Sequence, residues 1–405
     1  MKSIVSIVKE AAPAMDEFVL QAVRRSIELV GGLSSFDVKG KQVLVKPNIG
    51  LPNSLDCTNP QVTWAAAKIF ADYGCEVLLG EDPAIPTSEE EAYGFYRIHE
   101  IAERAGARVV SLRKGGTVKI KVPNAGFFTE LAVSRIAHEA AMIVSVACLK
   151  TVNVTNVSLS LKNMKGVIPG AWKRKFHSEG LNHGIVDLNR VVKPGLAIVD
   201  ATLARDMIRK ACYPSGLIFA GKDAVAVDAV CCRFMGFDPA AIEHLKLAAE
   251  AGLGVIGSEE IELKGDEVEP IAGSFRFSSP NDPFKLASGS NGKIEIVQGQ
   301  PCSACINELG QFVSLYADYL KEHEPISILV GPSADPSSVP EGRRIVYYGN
   351  CLRKKRRGRS LLVRGCPPNE AIQGITDSLG AVIDQERRQL AELDAGQPGA
   401  GRPRP

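Results

Sequence analysis

The sequence predicts an α/β protein: a large domain on a mostly parallel sheet and a smaller C-terminal α/β domain that binds metal. Three observations carry this. Strand-like and helix-like segments alternate from the start of the chain. Several apolar runs are nearly continuous, as in strands buried on both faces. Polar side chains gather just after these runs, where open α/β sheets collect ligands. The 405 residues are 45% hydrophobic and 23% charged, with a net charge of +2. That balance excludes a largely disordered chain, a collagen-like fibre and a wholly basic nucleic-acid coat.

The elements follow in order. Gln42–Asn48 is a short β-rich run interrupted by a proline. Asn59 is placed to cap a helix that starts at Pro60 and runs to Tyr73, with Gly74 as its stop. Cys75–Gly80 reads as a buried strand with Glu81 and Asp82 at its end. Ser88–Ala105 reads as one helix ended by Gly106, and Arg108–Leu112 as another strand. Ala140–Cys148 and Gly195–Asp200 are further strands, and Val157–Met164 is expected to be helical. Leu217–Ala220 leads to Asp223, which caps an apolar helix, and Pro239–Ala251 is the next helix.

The Ser/Gly/Asn-rich stretch 273–292 is expected to link a domain over 1–272 to a four-cysteine domain over 293–393. The smaller domain should hold strands at Lys293–Val297, Ile326–Val330, Ile345–Tyr348 and Leu361–Val363. Its expected helices cover Ile306–Lys321 and Asn369–Leu393, and the Gly/Pro/Arg-rich tail 394–405 is expected to be disordered. Residues Met1–Lys9 lack a long apolar core, and the longest apolar stretch, Ala140–Leu149, is too short for a bilayer. A soluble cytoplasmic protein with no membrane contact is therefore expected, a setting that keeps cysteines reduced.

Ten cysteines are far too few for a disulfide scaffold, and they divide into two groups. Cys57, Cys75, Cys148, Cys212, Cys231 and Cys232 fall mostly within strands or helices and read as core filling. Cys302 and Cys305 form a C-x-x-C before a helix, while Cys351 and Cys366 each follow a strand, in Gly-Asn-Cys and Gly-Cys-Pro-Pro. Four thiolates from three loops are a ligand set for a [4Fe-4S] cluster or a structural zinc. The spacings of two, forty-five and fourteen residues lack the nearby second pair of a zinc ribbon. The proline after Cys366 favours the cluster. A dithiol redox pair and buried filling are the other readings. Seven cations and no acids lie between Cys351 and Cys366, so the Arg353–Arg359 loop is a docking surface for an acidic electron carrier. The bland alternative is a solvated loop tip. Nucleic acid is not expected, because no aromatics are interleaved and the whole chain is near neutral.

A second concentration of chemistry spans 150–188. Lys162, Lys165 and His177 are the candidate catalytic residues. Lys46, Asn48, Lys150, Asn163, His183 and Asp200 are candidates for binding a small anionic substrate, since lysines with amides suit carboxylate or phosphate. A solvated helix face with a polar loop is the alternative. No Gly-x-Gly-x-x-Gly follows a strand, so no nicotinamide or flavin site is read.

The runs Lys46-Pro-Asn48, Asn59-Pro60, Leu149-Lys-Thr151, Leu161-Lys-Asn-Met-Lys-Gly166, Phe176-His177, Ile198-Val-Asp200 and Asp223-Ala-Val-Ala-Val-Asp-Ala229 together resemble the domain of unknown function 362 family. Met235-Gly-Phe-Asp238 and Gly252-Leu-Gly254 extend the likeness across roughly residues 1–260. The resemblance implies association with iron–sulfur clusters, but this chain lacks a ferredoxin repeat and carries the separate four-cysteine set. The Gly365-Cys-Pro-Pro-Asn-Glu-Ala-Ile372 run resembles the proximal-cluster motif of hydrogenase small subunits, which implies cluster ligation at Cys366. The expectation is an iron–sulfur oxidoreductase or electron-transfer protein. The alternative is a non-catalytic binding or scaffold protein stapled by zinc or a cluster.

Overall fold

The computed structural model describes residues 2–9, 16–50, 56–83, 87–302, 305–306, 308–314, 325–356, 360–365 and 368. Cys366, the helix expected over 369–393, the tail, and 357–359 of the basic loop lie outside the described residues. The chain forms two compact units, Met1–Ser279 and Pro280–Pro405.

In the first unit the strands are β1 (Ser3–Lys9), β2 (Gln42–Pro47), β3 (Glu76–Leu79), β4 (Arg108–Val109), β5 (Thr117–Lys121), β6 (Glu130–Ser134), β7 (Met142–Val152), β8 (Asn156–Ser158), β9 (Leu196–Asp206), β10 (Ala211–Tyr213), β11 (Leu217–Gly221) and β12 (Ile261–Gly265). The main sheet runs β12-β1-β11-β9-β7-β2-β3-β4, with β8 paired to the end of β7, β10 to the end of β9, and β5–β6 a separate hairpin. From β9 through β4 neighbouring strands are parallel, while β11 runs antiparallel to both β9 and β1. Successive residues of the central strands enter opposite cores. Val43, Val45, Val144, Val146 and Ile198 pack into one, and Leu44, Ile143, Ala147, Ala197 and Val199 into the other. Burial on both faces is why these strands read as unbroken apolar runs, and each buried valine, leucine or isoleucine contributes about 1.5–3 kcal/mol of transfer free energy.

Helix Pro60–Asp72 starts as its sequence requires, with the Asn59 side chain accepting from the Gln61 amide and Pro60 at the first turn. Three expectations are corrected. The 88–105 helix is two, Glu89–Tyr96 and Ile98–Ala105, separated by Arg97 in the left-handed region (φ 57°). The 157–164 segment is not one helix: β8 is followed by a single helical turn, Ser160–Asn163, and a 3₁₀ turn, Met164–Val167. The 239–251 helix is a 3₁₀ turn, Pro239–Ala241, followed by helix Glu243–Glu250.

The second unit holds β13 (Ile294–Gln298), β14 (Ile326–Val330), β15 (Arg344–Tyr348) and β16 (Ser360–Val363), all parallel and in sequence order. Leu309, Phe312 and Val313, from a helical segment over 308–314, pack with Ile328, Val330 and Tyr348, while Leu329, Tyr347, Leu352 and Leu362 form a second cluster. The stretch 273–292 contains a helix, Pro283–Ser288, capped by Asp282 and started by Pro283. Because β15 and β16 are parallel, the basic segment between them is a crossover rather than a hairpin tip.

Candidate functional site

The chain runs outward from β2 to β3 and β4, then returns to the other flank of β2 to form β7 and β9. β2 and β7 therefore bound a topological switch point, where departing loops diverge and leave a crevice. Lys46 lies at the end of β2, in register with Ser145 of β7. Its side chain is fully buried. The amine donates to Asn163 Oδ1 (2.9 Å) and the Pro47 carbonyl (3.2 Å), and forms an ion pair with Glu81. Burial draws Lys46 and Glu81 towards their neutral forms, and each partner's charge opposes that. Asn163 Nδ2 donates to the Lys46 carbonyl (3.2 Å) and Ser145 Oγ (3.0 Å). Lys46 and Asn163 thus form the frame beneath the crevice; their polar groups are spent on each other.

A second charge group adjoins this frame. The Lys173 amine donates to the Pro83 carbonyl (2.9 Å) and pairs with Asp82 (3.0 Å), which Arg113 also reaches (2.6 Å). Gly166 has to be glycine for close approach. A Cβ there would lie 1.7 Å from Glu81 Oε1 and 2.5 Å from Lys46 Cε.

The segment 159–167 carries the candidate lysines and is clamped from several directions. Asn156, in the left-handed region (φ 62°), reverses the chain after β7. The fully buried Asp228 carboxylate, on helix Ala224–Phe234, accepts from the Ser160 and Leu161 amides, each at 2.9 Å. This caps the helical turn, and burial pushes the Asp228 carboxyl up to about 7. Asn189 donates to the Leu161 carbonyl at 3.1 Å from the opposite side.

On the 3₁₀ turn that follows, Lys165 contacts His177 Nε2 at 2.8 Å. Desolvation, then the Lys173 charge, lowers Lys165 to about 7. Desolvation, then Lys165 and Lys162, lowers His177 to about 2, so the imidazole is neutral and accepts from the amine. Lys162 is half-buried and makes no hydrogen bond or ion pair with any described residue. Desolvation, then Lys165 and Lys150, holds it well below the ordinary lysine value. The three candidate catalytic residues are thus brought together.

Lys150 donates to Asn48 Oδ1 and the Asp56 carbonyl, both at 2.6 Å. Burial works against its charge, but Asp56, Cys148 and Cys57 outweigh that and raise it. Cys148, expected to be filling, donates to the Asp56 carbonyl (3.2 Å), and Cys57 accepts from the Gly50 amide (3.2 Å). Burial lifts the Cys57 thiol to about 12 and raises Cys148 too, so neither is a ready thiolate.

Two candidates do not join the lysines. His183 packs on Phe127 (5.7 Å between centroids) and borders a cavity of about 200 Å³ lined also by Asp187, Arg190 and Glu250. Asp200 is fully buried and accepts from the Asn59 amide (2.7 Å) and the Thr202 hydroxyl (2.6 Å), organising backbone instead of presenting a carboxylate. Lys173 and His244 were missed by sequence reasoning. Burial, then the Lys162 charge, lowers His244 to about 3, and neither ring nitrogen has a hydrogen-bond partner among the described residues. A histidine in an ordinary amphipathic helix gives no sequence signal for this.

In the second unit, Cys302 and Cys305 follow β13, and Cys351 follows β15. The Gly349 amide donates to the Val363 carbonyl (2.9 Å) and the Asn350 amide to the Gly365 carbonyl (2.9 Å), tying together the segments that follow β15 and β16. A Cβ on Gly349 would lie 3.6 Å from Cys351 Sγ and 3.7 Å from Cys305 Sγ. Two thiols far apart in sequence therefore flank one point. The neighbouring Tyr348 hydroxyl is buried without a hydrogen-bond partner among the described residues, and burial, Glu308 and Cys305 push it up. No group of three or more His, Cys, Asp or Glu side chains is placed to hold a metal among the described residues.

The fold and site define an α/β protein with a cluster of lysine amines at its sheet switch point. Residues 43–233 match the family described as Domain of unknown function (DUF362). It is 25% identical over 255 residues to a thylakoid-associated protein of Synechocystis sp., spanning 60% of this chain and 77% of that one. The lactate racemase apoprotein from Thermoanaerobacterium thermosaccharolyticum is a similar solved structure, with TM-score 0.37 and 10% identity, over 92% of this chain and 86% of that one. No described helix is long and apolar enough to cross a membrane.

Proposed function

We propose that this is an iron–sulfur oxidoreductase or electron-transfer protein, in which Cys302, Cys305, Cys351 and Cys366 hold a [4Fe-4S] cluster. The observation that carries the reading is the approach of the Cys305 and Cys351 sulfurs to Gly349, from the loops that follow β13 and β15. The unpartnered Tyr348 hydroxyl beside Cys305 adds support, because a buried donor wants an acceptor there. A bound cluster supplies one-electron transfer. Cations of the Arg353–Arg359 segment supply a docking surface for an acidic electron carrier. Lys162, Lys165 and His177 bind a small anionic substrate and manage its protons.

Anaerobic purification with iron, sulfide and zinc analysis tests the reading. Iron and labile sulfide with absorbance bleached by dithionite, and loss of both in Cys351→Ser, are expected. Stoichiometric zinc without sulfide sinks it and leaves a metal-stapled binding protein. A second reading, a redox-inactive enzyme, is favoured by the Lys162 amine in the large unit, which has no partner among the described residues. Activity that survives Cys351→Ser but not Lys162→Met selects it.

A further inference from the structure

Four lysines in the large unit are each tied to a neighbour. Lys46 is held by Glu81 and Asn163, Lys150 by Asn48 and Asp56, Lys165 by His177, and Lys173 by Asp82 and Pro83. Lys162 sits among them and makes no such bond to a described residue. The residues on either side of it, by contrast, are held: the Leu161 amide donates to Asp228, the Leu161 carbonyl accepts from Asn189, and the Asn163 side chain bonds Ser145 and Lys46. A clamped backbone bearing an uncommitted amine, close to two cations, is an unusual use of a lysine. A purely structural lysine would be paired or would reach fully into water.

We propose that Lys162 is a covalent-catalytic residue that forms an imine with a small carbonyl substrate bearing a carboxylate or phosphate, of the 2-oxo acid class. The inference rests on the reading of this crevice as a site for a small anion. Neighbouring cations and desolvation are the two means by which proteins keep a lysine amine unprotonated and nucleophilic, and both act here. Lys165 and Lys150 disfavour an ammonium at Lys162 and attract the substrate's anion.

The step balances without a co-reactant. The Nζ lone pair forms a C–N bond to the carbonyl carbon, giving a carbinolamine. The C–O bond then breaks, and the oxygen leaves as water carrying the two amine hydrogens. Nothing is oxidised or reduced. Lys165, titrating near neutrality against His177, is placed to protonate the departing hydroxyl. The resulting imine, once protonated, withdraws electrons from the adjacent carbon.

The test incubates the full chain separately with glyoxylate, pyruvate and 2-oxoglutarate, then adds sodium borohydride and maps adducts by peptide mass spectrometry. Calorimetry without borohydride measures binding of the same three compounds. A reduced adduct on Lys162, exceeding that on any other lysine by about tenfold, is expected with at least one probe. It must vanish in Lys162→Met, which is uncharged like the neutral amine but cannot form the imine, with circular dichroism confirming the fold. Binding without an adduct at Lys162 overturns the imine and leaves the anion site standing. Adducts spread evenly over surface lysines overturn it as well. Neither binding nor trapping with any probe overturns both.

Discussion

Gly166 and Lys46 show how little room the site leaves for change. A methyl at 166 would meet Glu81 Oε1 at 1.7 Å and Lys46 Cε at 2.5 Å, and both belong to a buried ion pair that cannot swing into water. Gly166→Ala is expected to cost about 3 kcal/mol, read as a lower denaturation midpoint. Lys46→Met leaves the buried Glu81 carboxyl without its main partner and should cost about 3–5 kcal/mol. Adding Glu81→Leu should recover much of that loss, because no buried charge then lacks a partner. A double-mutant cycle by urea denaturation checks the non-additivity; additive costs would mean the pair is not coupled. Both residues were visible in the sequence as strand-end polar groups. Their partnership was not, because thirty-five positions separate Lys46 from Glu81.

Local elements were legible where capping chemistry is local. Asn59-Pro60 announces its helix, and Asp223 caps the next one through the Ala226 amide at 3.0 Å. The misread elements are those whose ends are set by distant groups. The helical turn Ser160–Asn163 has no side-chain cap of its own, and its amides are satisfied by Asp228, sixty-eight positions away from Ser160. The helix expected over 157–164 accordingly forms only as a single helical turn. Arg97 likewise breaks a helix in a conformation that its residue type rarely adopts. Asp228→Ala should remove the remote cap at a cost of about 1–2 kcal/mol and loosen the turn that carries Lys162. Faster amide exchange at Ser160 and Leu161 than at Ala226 is the expected signature. Equal acceleration at all three would argue for general destabilisation instead.

Over the whole molecule, the buried histidines set how stability responds to acid. His244 is fully buried and lowered to about 3, and His177 is lowered to about 2. Unfolded histidine binds its proton near 6.5, so between that pH and the folded values the unfolded state holds more protons. Stability from these groups is therefore present above pH 6.5 and is lost as pH falls. His244 contributes roughly 1 kcal/mol per pH unit to that loss. Asp228, raised to about 7, works in the opposite sense: its contribution is present at low pH and lost as pH rises through 7. His244→Leu should flatten the acid limb of a thermal-stability profile between pH 6.5 and 4 without altering the limb above pH 7. An unchanged acid limb would place the acid sensitivity in other groups.

The sequence by itself determined the α/β class, the parallel central strands, the locally capped helices and the grouping of Lys162, Lys165 and His177. Those features follow from periodicity and short-range spacing, which the linear chain carries directly. The tertiary structure alone decided which lysines are spent. Lys46 is consumed by Glu81 and Asn163, Lys173 by Asp82, and Lys162 has no hydrogen-bond or ion-pair partner among the described residues. Whether an amine is paired, desolvated or available depends on groups brought from distant strands to one switch point. Composition and spacing do not encode that energy balance, because it exists only once the sheet has assembled.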